Sequence, residues 1–419
     1  MDQTSARVHP SPERTAALGL KSRLARDLLL RSLRGLAAGC LELVTPEGLL
    51  VLGDPAADLR ARVVIHDPRA YGLGAFRGEI GLGEAYALGY WSSPDPVAVV
   101  RLAVRNLAVL EQRQGWLARA ASVLARLRHR RRANDIAGSR ANIQAHYDLG
   151  NPFYRLFLDE TMAYSCAYFE TARDSLESAQ ERKYELICRK LELSPADHLL
   201  EIGTGWGGFA AHAASRHGCR VTTTTLSAEQ HAQAGERFRE RGLEGRITLL
   251  LEDYRQLRGS FDKVVSIEMF EAVGLRYYDA YFRAVQGLLK PGGSFLMQTI
   301  TMNEQHFPDY IRGTDWIQQY IFPGAELASV AEILRSTARV TRLALEHFEE
   351  IGPHYARTLH HWRERFLARR GEVRGLGFDD RFLRTWDYYL AYCEGAFAER
   401  HIGDAQLLFR LASDPGGRA

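Results

Sequence analysis

Leu200-Glu201-Ile202-Gly203-Thr204-Gly205-Trp206-Gly207-Gly208 is the segment of this sequence most able to hold a reactive ligand. Glycines that follow an apolar stretch allow a tight turn and let backbone N–H groups approach a ligand at a helix start. The string satisfies both GxGxG and GxGxxG. Taken alone, it therefore suits either a dinucleotide or S-adenosylmethionine (SAM). A dinucleotide site usually ends its second strand in Asp or Glu, about 20 residues further on. Here that stretch reads Thr222-Thr223-Thr224-Thr225-Leu226 and has no acid. This weakens NAD and leaves SAM as a candidate. Glu201, two residues before the first glycine, could meet a cationic ligand, and Asp253 follows the third strand, suitably placed for an adenine amine.

These residues need a scaffold, and the apolar patterning supplies one. Strands are predicted over 198–202, 220–225, 247–251, 261–267 and 294–300. Helices are predicted between them over about 207–217, around Gln230 and His231, and over about 277–289, the last stopped by Lys290-Pro291-Gly292-Gly293. This βαβ rhythm predicts an α/β fold, a doubly wound and mostly parallel sheet that binds ligands at the carboxyl ends of its strands. Ahead of it, 20–128 reads as a small α+β domain, with a loose tail over 1–19 and a basic linker over 129–140. The catalytic domain is expected to span 141–413.

Composition narrows the partners. The chain has 419 residues, 46% hydrophobic and 25% charged, which excludes a disordered chain and a disulfide scaffold. Five scattered cysteines without a CxxC pair argue for a reducing, cytoplasmic setting and against a bound metal. No apolar run is long enough for a transmembrane helix, and the N-terminus does not read as a signal peptide. The net charge of +3 hides a local imbalance: eight arginines and one acid lie between Arg113 and Arg140. A second basic stretch is a helix with Leu20, Leu24, Leu28, Leu33 and Leu36 at roughly helical spacing, interleaved with Lys21, Arg23, Arg26, Arg31 and Arg34. Either stretch suits an anionic membrane surface, and either could be an ordinary solvated face. Nucleic acid is not expected, because the arginine run lacks interleaved aromatics.

A set of ordered motifs goes further. His146-Tyr147-Asp148-Leu149-Gly150-Asn151, Tyr164-Ser165-Cys166-Ala167-Tyr168-Phe169, the glycine turn, Leu226-Ser227-Ala228-Glu229-Gln230, Met269-Phe270-Glu271-Ala272-Val273-Gly274 and Tyr320-Ile321-Phe322-Pro323-Gly324 follow one another along 140–410. In this the sequence resembles the cyclopropane-fatty-acyl-phospholipid synthase family. The resemblance implies a Rossmann-like SAM-methyltransferase fold with helical additions, and a membrane-peripheral enzyme at the inner face that acts on unsaturated phospholipid acyl chains. A homodimer is compatible with it. It implies that Tyr164, Ser165, Gly203, Gly205, Thr225, Leu226, Gln230, Asp253 and Tyr254 line the SAM site, beside Glu201. It further implies a bicarbonate ion held around Cys166, Glu271, Ile300 and Tyr355, with Gln298 at the position of the family's histidine.

Two positions depart from the family pattern. Gln298-Thr299-Ile300 stands where the family has HTI, and Ala272 stands where it has the histidine of FEHVG. A glutamine can hydrogen-bond an anion but carries no charge and relays no proton at neutral pH. The implied chemistry is attack of an alkene on the SAM methyl, stabilisation of the resulting cation, and removal of one proton. Loss of that proton from the new methyl closes a cyclopropane; loss elsewhere gives a methyl- or methylene-branched chain.

Overall fold

The computed structural model describes residues 19–113 and 149–412, which fall in two compact units. The tail, the arginine run beyond Arg113, the 129–140 linker and His146-Tyr147-Asp148 lie outside the described residues.

The first unit runs α1 (Leu20–Leu33), β1 (Cys40–Thr45), β2 (Gly48–Gly53), β3 (Arg60–Ile65), α2 (Arg69–Ala87), β4 (Trp91–Ser92), α3 (Pro96–Arg105) and α4 (Leu107–Arg113). Its sheet has the order β2-β1-β3-β4. In β3 the alternation is plain: Ala61, Val63 and Ile65 point into the core. Buried Asn106 closes the unit. Its Oδ1 accepts the N–H groups of Ala37 and Ala38 (2.7 and 3.0 Å), and its Nδ2 donates to the carbonyls of Ala38 and Leu102 (2.7 and 2.8 Å). The Gly- and Tyr-rich stretch that carries no clear sequence period folds as α2, bent at Gly78. In α1 the inward residues are Ala25 and Leu30. Leu20, Leu24 and Leu28 point outward and are 84%, 58% and 39% exposed. The leucine spacing predicted the helix, but those three leucines lie on its outer face.

The second unit contains α5 (Asn151–Tyr154), α6 (Leu176–Lys190), β5 (His198–Ile202), α7 (Gly208–Arg216), β6 (Arg220–Thr224), α8 (Ala228–Glu240), β7 (Ile247–Leu250) and β8 (Phe261–Ile267). It continues with α9 (Tyr278–Leu288), β9 (Leu289–Met302), α10 (Phe307–Tyr310), α11 (Trp316–Tyr320), α12 (Val330–Val340), β10 (Leu343–Glu350), α13 (Gly352–Ala368), α14 (Arg370–Gly375), α15 (Asp380–Ala398) and β11 (Ile402–Leu411). One seven-stranded sheet has the order β10-β11-β9-β8-β5-β6-β7. Strands β5 to β9 pair in parallel, as the βαβ rhythm predicts. Strands β10 and β11, which the sequence did not announce, add an antiparallel edge.

Successive strand residues face opposite cores. Leu200, Val264 and Phe295 join Phe270, Tyr281 and Phe409 on one face. Leu199, Val265 and Leu296 join Ile187, Phe209 and Phe238 on the other. Some helices begin on side-chain caps; Ser175 starts α6 and Ser227 starts α8. Strand β5 lies between β6 and β8, so the chain leaves it in one direction and returns on the other side. Its carboxyl end is the switch point where such sheets hold ligands. Among the described residues, no helix is long and apolar enough to cross a membrane.

Candidate active site

The glycine turn opens directly at that switch point. The N–H groups of Gly203 and Thr204 both donate to the Thr224 carbonyl (3.0 Å each), so the turn is tied to the end of β6. Gly203 and Gly205 have φ of +104° and +52°, the left-handed region that favours glycine. A Cβ at Gly205 would meet no atom within 4 Å, so the turn presents bare backbone to open space there.

Glu201 is buried beneath the turn. Its Oε2 accepts from the Thr223 hydroxyl (2.5 Å), which lies 2.7 Å from the Thr204 hydroxyl. Burial pushes its carboxyl up to about 8. After β6, the Thr225 hydroxyl donates to Gln230 Oε1 (2.9 Å) and accepts the Ser227 N–H (3.1 Å), which fixes the half-buried Leu226 between them. Asp253 is placed beyond β7 and is engaged. Arg255 donates Nε (2.7 Å) and its own N–H (2.9 Å) to Oδ1, and Nη2 (2.6 Å) to Oδ2. Tyr254 turns inward, its ring 5.3 Å from that of Tyr281.

On the far side of β5, a cluster of carboxyl groups gathers at the end of β8. Glu268 is the first residue past that strand, held at φ +49°. Its Oε1 accepts the backbone N–H of Cys166 and Nε2 of Gln298 (2.8 Å each), and its Oε2 accepts the Tyr355 hydroxyl (2.7 Å). Gln298 also donates to Asp404 Oδ2 (3.1 Å) and accepts from Gln406 Nε2 (3.0 Å). Every hydrogen-bonding group of its amide is therefore in use. Register explains the grouping: Asp404 pairs with Ile300 and Gln406 with Gln298 across the antiparallel β9–β11 ladder.

Glu271 lies in the short 3-10 turn after β8. Its Oε1 accepts the Ile300 N–H (2.5 Å) and the Thr299 hydroxyl (2.9 Å), while Oε2 is buried without a partner. Burial and then the charge of Glu268 push its carboxyl up to about 7. Asp404 is driven well above the carboxylate range by burial and by its two acidic neighbours. The cluster thus holds fewer negative charges at neutral pH than it has carboxyl groups.

The Tyr164-Ser165-Cys166 segment crosses the cluster. Cys166 contributes its backbone N–H, and its buried thiol, raised well above its ordinary value by burial, is directed at the carbonyls of Ala167 and Ile351. Buried Lys183 donates to Ser165 Oγ (2.6 Å). The Tyr164 hydroxyl meets that of Tyr389 (2.8 Å), and its ring lies 5.2 Å from Trp362 and 6.3 Å from Phe322. The Tyr355 ring stacks on Phe397 at 4.4 Å. An aromatic wall therefore adjoins the carboxylates.

The structure brings Cys166, Gln298, Tyr355, Glu271 and Ile300 into one site, and Glu201, Gly203, Gly205, Thr225, Leu226 and Gln230 to the neighbouring strand ends. The residue at the centre, Glu268, is one the sequence reading missed, as it missed Lys183, Asp404 and Gln406. Two signals were available. Glu268 immediately follows a buried parallel strand, and Asp404 and Gln406 are alternate polar residues in a stretch, 402–409, that is otherwise apolar.

Comparison with known proteins gives the family and the fold. Residues 135–407 match the family described as mycolic acid cyclopropane synthetase. The chain is 40% identical over 356 residues to a tuberculostearic acid methyltransferase of Mycobacterium tuberculosis, covering 83% of each. It is 37% identical over 382 residues to the cyclopropane-fatty-acyl-phospholipid synthase of Escherichia coli K12, covering 90% of this chain and 94% of that protein. A mycolic acid cyclopropane synthase solved with SAH and CTAB superposes with a TM-score of 0.60 at 31% identity, over 65% of this chain and 98% of its own.

Proposed function

The chain belongs to the mycolic acid cyclopropane synthetase family and is a SAM-dependent methyltransferase, and from that premise we propose that it adds the SAM methyl carbon to the double bond of an unsaturated phospholipid acyl chain and closes a cyclopropane. The observation that carries this reading is the juxtaposition at one switch point. An open glycine turn lies on one side of β5, and an acid cluster beside aromatic rings lies on the other. SAM supplies an electrophilic methyl on a sulfonium. Gly203 and Gly205 offer backbone to it, Glu201 a carboxylate for its cationic groups, and Thr225, Leu226 and Gln230 the ribose and adenine contacts.

An alkene needs no deprotonation before it attacks, so the residues do not have to activate it. They have to hold the acyl chain away from water, stabilise the cation that forms, and take one proton. Tyr164, Trp362 and Phe322 present π-faces suited to the second task, and the carboxyl groups suit the third. A second reading, branching without ring closure, is favoured by Gln298 and Ala272, which replace the histidines of the family pattern.

Access to lipid fits α1. Its outward face carries Leu20, Leu24 and Leu28 among Lys21, Arg23, Arg31 and Arg34, all exposed. Leucines of that kind enter the acyl boundary of a bilayer while basic residues meet anionic headgroups. We therefore place the enzyme at an anionic leaflet, as a peripheral protein.

One assay tests both parts. The full chain is incubated with SAM and vesicles of an unsaturated, anionic phospholipid at rising salt. The expected product gains the mass of one CH₂ and shows upfield ring protons, and its rate of formation falls as salt releases the protein from the vesicles. Vinylidene signals would replace ring closure with branching. No gain of mass would sink the acyl-methylation reading, and equal binding to neutral vesicles at high salt would remove the electrostatic part.

A further inference from the structure

The family resemblance assigns the donors around Cys166, Gln298, Ile300 and Tyr355 to a bicarbonate ion. In this structure those donors already have a carboxylate each. The Cys166 N–H, the Gln298 amide and the Tyr355 hydroxyl converge on Glu268, and the Ile300 N–H is taken by Glu271. A carboxylate is the planar O–C–O group of bicarbonate carried on a side chain, and it satisfies the same donors. The site therefore does not fit a free bicarbonate ion. We propose that the carboxylate of Glu268 stands in bicarbonate's place and is the base that takes the proton released after methyl transfer.

The inference rests on the acyl-methylation reading above, and it deepens that reading by naming the proton acceptor. The alkene's π-pair forms a bond to the methyl carbon, the carbon–sulfur bond breaks, and the acyl chain is left as a carbocation. For ring closure, a C–H bond of the added methyl breaks. Its electron pair bonds to the cationic carbon, and the proton passes to Glu268. For a methylene branch, a hydride first shifts from the methyl-bearing carbon to the cation. The same C–H bond then breaks to form the new double bond, and the proton again passes to Glu268. In both cases a carboxylate and a cation become a neutral acid and a neutral lipid, with no external oxidant or ion. Glu268 is half-buried, so it can return the proton to water once the product leaves.

Its neighbours are less suited to the task. Asp404 is fully enclosed, and Glu271 meets only the Ile300 N–H among the donors assigned to the anion. Glu268 faces its donors because its backbone adopts a left-handed conformation, which glycine would accept without strain. That makes Glu268→Gly a clean way to vacate the donors.

The test uses the full-length protein in buffer stripped of carbon dioxide and then supplied with bicarbonate. The native enzyme is expected to methylate lipid at the same rate in both conditions. Glu268→Gln keeps the shape but cannot accept the proton, and its kcat is expected to fall on the order of 100-fold or more with SAM binding unchanged. Glu268→Gly is expected to be inactive without bicarbonate and to recover when it is added. Binding of ¹³C-bicarbonate, followed by NMR, gives a readout independent of turnover: the glycine variant should bind the ion and the native protein should not. Bicarbonate dependence or bicarbonate binding in the native protein would overturn the proposal, as would Glu268→Gln at the native rate. If the native protein methylates no lipid, the acyl reading fails and the proton-acceptor role with it. The bicarbonate titration would still decide which group occupies the donors.

Discussion

Strands β5 and β8 lie side by side in parallel, and each delivers a glutamate to the same crevice: Glu201 within the end of β5 and Glu268 just past β8. Their surroundings are opposite. Glu201 is buried with a threonine hydroxyl on Oε2, and its carboxyl is pushed up to about 8. Glu268 receives a backbone N–H, an amide and a phenol, and it remains half-buried. Burial of a carboxyl with few donors favours its neutral form and leaves it ready to ionise when a cation arrives. Converging donors instead hold a carboxylate in place before any ligand binds. In the proposed mechanism, similar positions on adjacent strands serve as a receptor for positive charge and an anchored base.

Among changes that leave Glu268 in place, the largest effect should come from removing the receptor. Glu201→Gln is expected to weaken SAM binding on the order of 10- to 100-fold, because a buried ion pair loses its anion. The pH dependence carries the stronger signature. A native carboxyl with a pKa of about 8 must shed its proton to pair with a cation, so native affinity should strengthen as pH rises from 6 to 8. The variant should lose that share of the slope. Titration calorimetry in buffers of different ionisation enthalpy reads the proton released. An equal affinity and an equal slope would erase the contrast between the two glutamates.

The sequence revealed one of these glutamates and concealed the other, for physical reasons. Glu201 sits inside a glycine signature whose spacing follows from local turn geometry, and the parallel strands around it have local periods. Glu268 acquires its role from partners distant in sequence: Cys166, Gln298 and Tyr355 reach it only after the sheet closes. Strand β11, one in from the edge, was hidden similarly, since its pairing with β9 joins residues about a hundred positions apart. Residue type also misleads at Cys166, which contributes a backbone N–H that most residues could offer. In α1, spacing alone did not reveal that Ala25 and Leu30 are the inward residues.

A middle-sized effect should follow from restoring the family's histidine. Gln298 serves Glu268, Asp404 and Gln406 at once. An imidazole cannot donate twice and accept once from one side of a short amide, so Gln298→His should leave a buried group unpartnered. The expected cost is about 1–3 kcal/mol, seen as a lower Tm. If the anchored base is Glu268, this histidine should not make turnover depend on bicarbonate. A variant as stable as the native protein and newly dependent on the ion would show that Gln298, rather than Glu268, sets the identity of the base.

The smallest effect at neutral pH is expected behind the cluster, at Asp404. Burial and the charges of Glu268 and Glu271 keep this carboxyl protonated, so it serves as a neutral group. Asparagine is close to that state in shape and charge, and its amide oxygen can take the place of Oδ2 opposite Gln298. Asp404→Asn should therefore change the methylation rate by less than about threefold, far below the loss expected for a proton acceptor. Stability separates the two states more finely. The native carboxyl has a raised pKa, so its contribution to folding is complete below the unfolded value and declines as pH rises towards the native one. Asparagine has no proton to lose. The difference in Tm between variant and native protein should be near zero in acid and shift in the variant's favour as pH rises, which a series of thermal melts would measure. A flat difference would mean that Asp404 is ionised in the native cluster. The donors of Gln298 would then be shared between two anions, and the contrast between an anchored Glu268 and a waiting Glu201 would be weaker than the geometry implies.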